Sequence, residues 1–262
     1  MPFFAIGSDG DLPAPPIQLR VSPTSSARFQ LVEGFSYRSR SGDVYDVPPH
    51  PTDYAETTDP ASVPPFLWGL LASYGRQLRA ALMHDHLCDR ANTLAAAGQR
   101  AEAERVRRLG DNLFREAMRD KQEPDRRVPW LRSWVFWAGV TMGRYAQFAR
   151  GRLAAVVAHV GLAVVALLLA VVSGIIDLAA GGGWSPLTTA SAAAYVGLLA
   201  LAAAWWGDAP IVAIGIIFGP VLIPAVVCTL LAQIVVNVPD KILHLFDRSQ
   251  PKAPVTPTGR VI

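Results

Sequence analysis

The chain has 262 residues, 51% of them hydrophobic and 17% charged, with a net charge of +3, which is room for one or two domains. The average hides a break: Met1 to Arg152 holds 20 Lys or Arg and 17 Asp or Glu, whereas the 84 residues from Leu153 to Val236 hold only Asp177 and Asp208 and no Lys or Arg. A soluble domain does not look like that second stretch, and the basic surplus at Arg144, Arg150 and Arg152 reads as membrane topology, so no nucleic-acid partner is expected.

Taken in chain order, Met1 to Ile6 followed by Asp9 and Asp11 lacks the basic start and apolar core of a secretory signal. Residues 1–27, rich in Pro, Ser, Gly and Asp, are expected to form an irregular N-terminal arm. Residues 28–150 read as a cytoplasmic α+β domain. Phe29, Leu31, Phe35 and Tyr37 alternate with polar residues, and Ser39-Arg40-Ser41-Gly42-Asp43 is a turn into Val44–Val47, which together make a β-hairpin. Prolines between Pro48 and Pro65 exclude regular structure there. Helices follow over about Gly75–Ala91, Glu102–Lys121 and Pro129–Phe148. Cys88 and Cys228 fall in a polar helix and an apolar run, which points to a reducing compartment and no disulfide framework.

Two of the helices carry ionisable groups on apolar stripes. His84 shares a face with Ala80, Ala81, Leu87 and Cys88, Asp85 follows Leu78 and Leu82, and Asp111 shares a face with Phe114 and Met118. A carboxylate on such a stripe needs a cation, a helix terminus or a metal ion beside it. One reading gathers Asp59, His84, Asp85 and Asp111 around a divalent metal (Mn, Fe, Mg or Zn), with Glu116 as a supporting or catalytic group and His50, His86 and Cys88 as further ligands; a metal so held makes a hydroxide for hydrolysis. The other has Asp59 capping a turn, Asp85 pairing with an arginine such as Arg79, and His84 hydrogen-bonded in the core.

Four blocks in this half stand in a fixed order: Phe35-x-Tyr37; Thr58-Asp59-x-Ala61-Ser62-Val63-Pro64-x-x-x-Trp68; Arg79-Ala80-Ala81-x-x-His84-Asp85-x-Leu87; and Asp111-x-x-Phe114-x-Glu116-Ala117-Met118. With them the chain, over about Arg28 to Tyr145, resembles the phage and prophage family numbered 1353 among the domains of unknown function. The resemblance implies a small α+β domain and a phage or prophage origin, with no activity to carry over.

The domain leads into a membrane region over residues 151–237, with three expected spans at about 153–176, 187–206 and 211–236, and a tail at 238–262. The first run, 24 apolar residues, makes a helix of about 36 Å, enough for a hydrocarbon core of roughly 30 Å. Gly181-Gly182-Gly183-Trp184-Ser185-Pro186 turns the chain, Trp205-Trp206 sits at an interface, and Gly219-Pro220 kinks the third run or folds it into a re-entrant hairpin. The basic residues before the first span place the N-terminal domain in the cytoplasm, and the phage resemblance implies the inner membrane of a host cell. The bilayer is the expected partner, and Gly215-x-x-x-Gly219 is a face for helix self-association or for packing within the chain. Trp130, Trp134 and Trp137, with Arg132 and Arg144, rest a helix on the membrane or pack in the core. Three functions follow as expectations: a membrane-anchored accessory protein acting at the host envelope, a metal-dependent hydrolase using the Asp/His cluster, and a holin-like lysis factor.

Overall fold

Helices and two small sheets, one of three strands and one of two, account for the described part of the chain, residues 2–22, 25–50, 75–120, 127–220 and 228 of a computed structural model. The strands are β1 (Phe3–Phe4), β2 (Leu19–Ser22), β3 (Ser25–Leu31), β4 (Phe35–Arg38) and β5 (Val44–Val47). The helices are α1 (Leu78–Ala96), α2 (Arg100–Met118), α3 (Trp130–Phe148), α4 (Arg150–Ala179) and α5 (Pro186–Leu201).

The expected hairpin forms over β4–β5 only, antiparallel, with Phe35 opposite Val47 and Tyr37 opposite Tyr45, whereas Phe29 and Leu31, expected in its first strand, lie in β3, which pairs with β2 in a second sheet. Its turn closes through Ser39 N donating to Asp43 O at 2.9 Å, and Gly42 takes φ +92°, a conformation an L side chain resists. Two further strands lie where an irregular arm is expected. Phe3–Phe4 adds to the hairpin as a third strand, Phe3 opposite Tyr37, and Leu19–Ser22 pairs antiparallel with β3. Composition misleads here because two-residue and four-residue strands carry too little periodicity to outweigh the flanking prolines and glycines, yet Phe3 and Phe4 gain by burial beside Phe35 and Tyr37.

α1 and α2 pack together against this sheet, and α3 lies on α2. Leu82, Met83 and Leu87 of α1, Leu113, Phe114 and Met118 of α2, and Phe136 of α3 close one core with Phe3, Leu31, Phe35, Tyr37 and Val47. Gly110 lets α1 and α2 approach, since a Cβ there would stand 3.2 Å from Leu87 Cβ. The charged faces of α2, including Arg105 and Arg108, turn outward.

Beyond Ala149 the packing inverts. α4 is 30 residues of almost unbroken apolar sequence, and Leu162, Val165, Leu168, Val172, Ile175 and Ile176 point outward from it. α5 returns antiparallel: Thr188 Oγ1 donates to Ser173 Oγ at 2.7 Å near one end of the pair, and His159 Nε2 meets Leu198 O at 2.9 Å toward the other. Ser185 caps α5 by accepting from Thr188 N, with Pro186 in the first turn, and Asp177 Oδ2 accepts from both Ser185 N and Thr188 Oγ1. Two helical stretches are long and apolar enough to cross a membrane, Arg150–Ala179 and Pro186–Pro220, among the described residues.

The second of these is not straight. A 3-10 turn at Ala202–Asp208 contains Trp206 at φ 49°, ψ −118°, which breaks the helix, and residues 209–220 are helical again. Asp208 pairs with Arg152 near the start of α4, Gly215 packs on Val160, and Ile216 O lies 3.5 Å from Tyr195 Oη. The stretch therefore runs back beside α5, in the direction of α4. The break expected at Gly207-Asp208-Ala209-Pro210 falls at Trp206, and the described residues give two membrane-length stretches where three runs are expected; residues 221–236, apart from Cys228, and the tail at 238–262 lie outside the described residues.

Candidate functional site

α1 and α2 cross where Gly110 permits close approach, and this brings His84 against Asp111. His84 Nε2 and Asp111 Oδ1 are 3.0 Å apart, Asp85 Oδ1 is 3.9 Å from His84 Nδ1, and both His84 and Asp111 are almost wholly buried, 2% and 1% exposed. The other oxygen of Asp111 accepts from Arg144 Nε of α3 at 2.9 Å. Arg107, one turn before Asp111 on α2, brings its Nε within 3.8 Å of Oδ1 and donates through Nη1 to Cys88 Sγ. Cys88 Sγ is 3.6 Å from both ring nitrogens of His84, one helical turn earlier on α1.

Three helices thus each contribute a charge to one interior cluster. Burial on its own would depress the His84 pKa, but hydrogen bonds to Asp111 and Asp85 outweigh it, so the pKa is raised above the ordinary histidine value although the nearby Arg107 opposes this. Burial pulls the Arg107 pKa down, against the attraction of Asp111 and Asp85. A carboxylate with an arginine on each flank and an imidazole on one oxygen is compensated by cations already in the chain.

The sequence-derived site residues fare differently. His84, Asp85 and Asp111 do come together, and Asp59 lies outside the described residues. Glu116 faces the sheet instead, its Oε1 accepting from Tyr37 Oη at 3.0 Å and from Arg40 N at 2.7 Å, which ties the β4–β5 hairpin to α2. The same carboxylate, after burial itself, pushes the Tyr37 pKa up. His50 serves strand β3: its Nδ1 accepts from Leu31 N, and its own N–H donates to Leu31 O, both at 2.8 Å. Among the described residues no group of three or more His, Cys, Asp or Glu side chains is arranged to hold a metal ion. Arg79 donates to Ala14 O and Pro15 O, anchoring the N-terminal arm across Phe3, while the arginines on Asp111 come from α2 and α3. Sequence reasoning placed Arg144 at a membrane boundary; it is buried against Asp111, so it adds little to the basic flank, which rests on Arg150 and Arg152.

A second polar junction, which the sequence did not announce, joins α3 to the apolar helices. Tyr145 Oη donates to Asp208, and Arg152 pairs with the same carboxylate, beneath an apolar cluster of Ala138, Val156, Ala163, Ile211, Val212 and Ile216. The only hint was a lone Asp208 in an uncharged stretch, since an acid so placed needs a partner. Of the aromatic face of α3, Trp130 is exposed while Trp134 and Trp137 stack edge to face, with Arg115 over Trp134. Gly215, expected to serve helix association, is occupied within the chain by Val160.

No curated protein and no solved structure matches the chain. Residues 29–140, from β3 into α3, match the family described as "Protein of unknown function (DUF1353)", and to that family this part of the chain is similar.

Proposed function

We propose that the chain is an integral membrane protein of phage or prophage origin, an accessory protein that holds an α+β domain at the cytoplasmic face of the host inner membrane and acts on the envelope from there. The observation that carries the membrane reading is α4: from Leu153 to Ile176 it has no Asp, Glu, Lys or Arg, only 22% of its most apolar window is buried, and its large side chains face outward. In water that surface would aggregate; in acyl chains it is satisfied. A reading with three spans is supported by the reversal at Trp206, an exposed aromatic suited to a bilayer interface, after which residues 209–220 run beside α4. Arg150 and Arg152, against no Lys or Arg from 153 to 236, support the cytoplasmic placement of the domain. The phage connection rests on the family resemblance.

The full-length protein is expected to stay with membranes after alkaline carbonate washing, and its release would end the anchored reading. A Gly182→Cys variant in a Cys88→Ser/Cys228→Ser background should react with a membrane-impermeant thiol reagent in intact spheroplasts; labelling only after permeabilisation would invert the topology. Expression should lower the plating efficiency of some phages in a panel without admitting a DNA dye. Dye entry would indicate a holin, and unchanged plating across the panel would remove the envelope role.

A further inference from the structure

Cys88 stands at the edge of the interior cluster and is half-buried. Its surroundings differ from those of a thiol that merely fills space. Arg107 Nη1 donates to its sulfur, His84 lies 3.6 Å away through either ring nitrogen, and Asp111 holds that ring at Nε2, 3.0 Å away. Arg107 is itself short of partners: its Nε makes no hydrogen bond, and the nearest Asp111 oxygen, 3.8 Å away, is already engaged with His84. A partly buried guanidinium in that position gains from a negative sulfur beside it, and the sulfur gains equally from the cation. A sulfur that an arginine donates to, with an imidazole beside it, is an arrangement that raises the nucleophilicity of a thiol.

We propose that Cys88 is a reactive thiol, activated by Arg107 and the Asp111–His84 pair, that is oxidised by small hydroperoxides to a sulfenic acid. The thiol proton passes to the adjacent His84 imidazole or to water, and the thiolate attacks the distal peroxide oxygen; an S–O bond forms as the O–O bond breaks, and the sulfur gives up two electrons to it. The leaving hydroxide, or alkoxide from an organic hydroperoxide, takes a proton from the adjacent imidazolium or from water. A half-buried sulfur suits a two-oxygen oxidant better than an extended ester or peptide, because only one small molecule has to reach it. Conversion to –SOH removes the counter-charge of Arg107, at the point where α1, α2 and α3 meet.

The test uses the full-length chain in detergent with Cys228→Ser, which leaves Cys88 as its single thiol. Hydrogen peroxide is added at pH 7, sulfenic acid is trapped with a cyclic 1,3-diketone, and the adduct is followed by intact mass and located by peptide mass spectrometry. The folded protein is expected to react about tenfold faster than the same chain unfolded in urea, because the fold and not the sequence holds the cation. Arg107→Gln should bring the folded rate down to that of the unfolded chain, and Arg107→Lys should restore part of it. A folded protein that reacts no faster than the unfolded one overturns the proposal. A folded Arg107→Gln variant, verified by circular dichroism, that keeps the full rate overturns the role of the arginine; if that variant does not fold, the comparison of folded and unfolded parent still decides.

Discussion

The two halves of the described chain solve the same problem in opposite solvents. In the N-terminal half the apolar groups are inside, and what is costly is the charged cluster they enclose: Asp111 is held by Arg144, Arg107 and His84 from three helices. In the α4–α5 half the large apolar groups are outside, charges are kept to the helix ends at Asp177 and at the Asp208–Arg152 pair, and the other interior polar contacts are neutral, Ser173 with Thr188 toward one end and His159 with Trp205 toward the other. A buried charge in the first half costs heavily if its partner is lost. In the second half an unpaired hydroxyl or ring nitrogen costs less, because neutral groups forfeit less solvation and find other partners.

The largest effect that this contrast predicts is at Arg144. Arg144→Met leaves Asp111 buried and under-compensated and should cost about 3–5 kcal/mol, read as a fall in the denaturation midpoint of the full-length protein in detergent. Adding Asp111→Leu and His84→Phe should recover much of the loss. If Arg144→Met alone is neutral, the cluster is not the stabilised ion network described here.

Packing of the apolar half should come next. A Cβ at Gly215 would lie 2.7 Å from Val160 Cγ2, so Gly215→Ala forces the returning helix off α4, at about 1–3 kcal/mol. Val160→Ala in the same chain should relieve it. An unchanged thermal midpoint in Gly215→Ala would mean that residues 209–220 do not rest on α4.

Proton linkage separates the halves further. The folded-state pKa of His84 is raised above 6.5, so the imidazolium's stabilisation is fully present below pH 6.5 and is lost as pH rises through the folded value. Denaturation midpoints measured on the alkaline side of 6.5 should therefore decline, and His84→Gln should flatten that part of the profile. A parent profile that instead rises there would reverse the assigned sign.

The smallest effect belongs to the neutral pair. Trp205 Nε1 donates to His159 Nδ1 at 3.0 Å, and Trp205→Phe should cost only about 0.6 kcal/mol, the usual worth of such a bond between membrane helices. A loss as large as that at Arg144 would show that the two halves do not differ as argued.

Much of this division is legible before folding. The disappearance of Lys and Arg after Arg152 marks the boundary, because the amount of apolar surface a segment must cover is fixed by composition alone. The β4–β5 hairpin and the three helices of the first half can also be read, since alternation and helical spacing are local properties, and so can the pairing of His84 with Asp111, as two ionisable groups on apolar stripes must find each other or another charge.

Tertiary structure alone decided the rest. That Arg144, 33 residues from Asp111, turns inward while Arg150 stays exposed depends on how α3 lies on α2, which no spacing along one helix encodes. The same holds for Glu116, whose bond to Tyr37 spans 79 residues, and for the strand at Phe3–Phe4, which exists only because β4 offers it an edge. A break after Trp206 is legible in Gly207-Asp208-Ala209-Pro210, but not what holds it. Apolar sequence on both sides of it satisfies a long helix as well as two short ones, and what selects the turn is the company Asp208 finds in Tyr145 and Arg152 once α3 and α4 are in place.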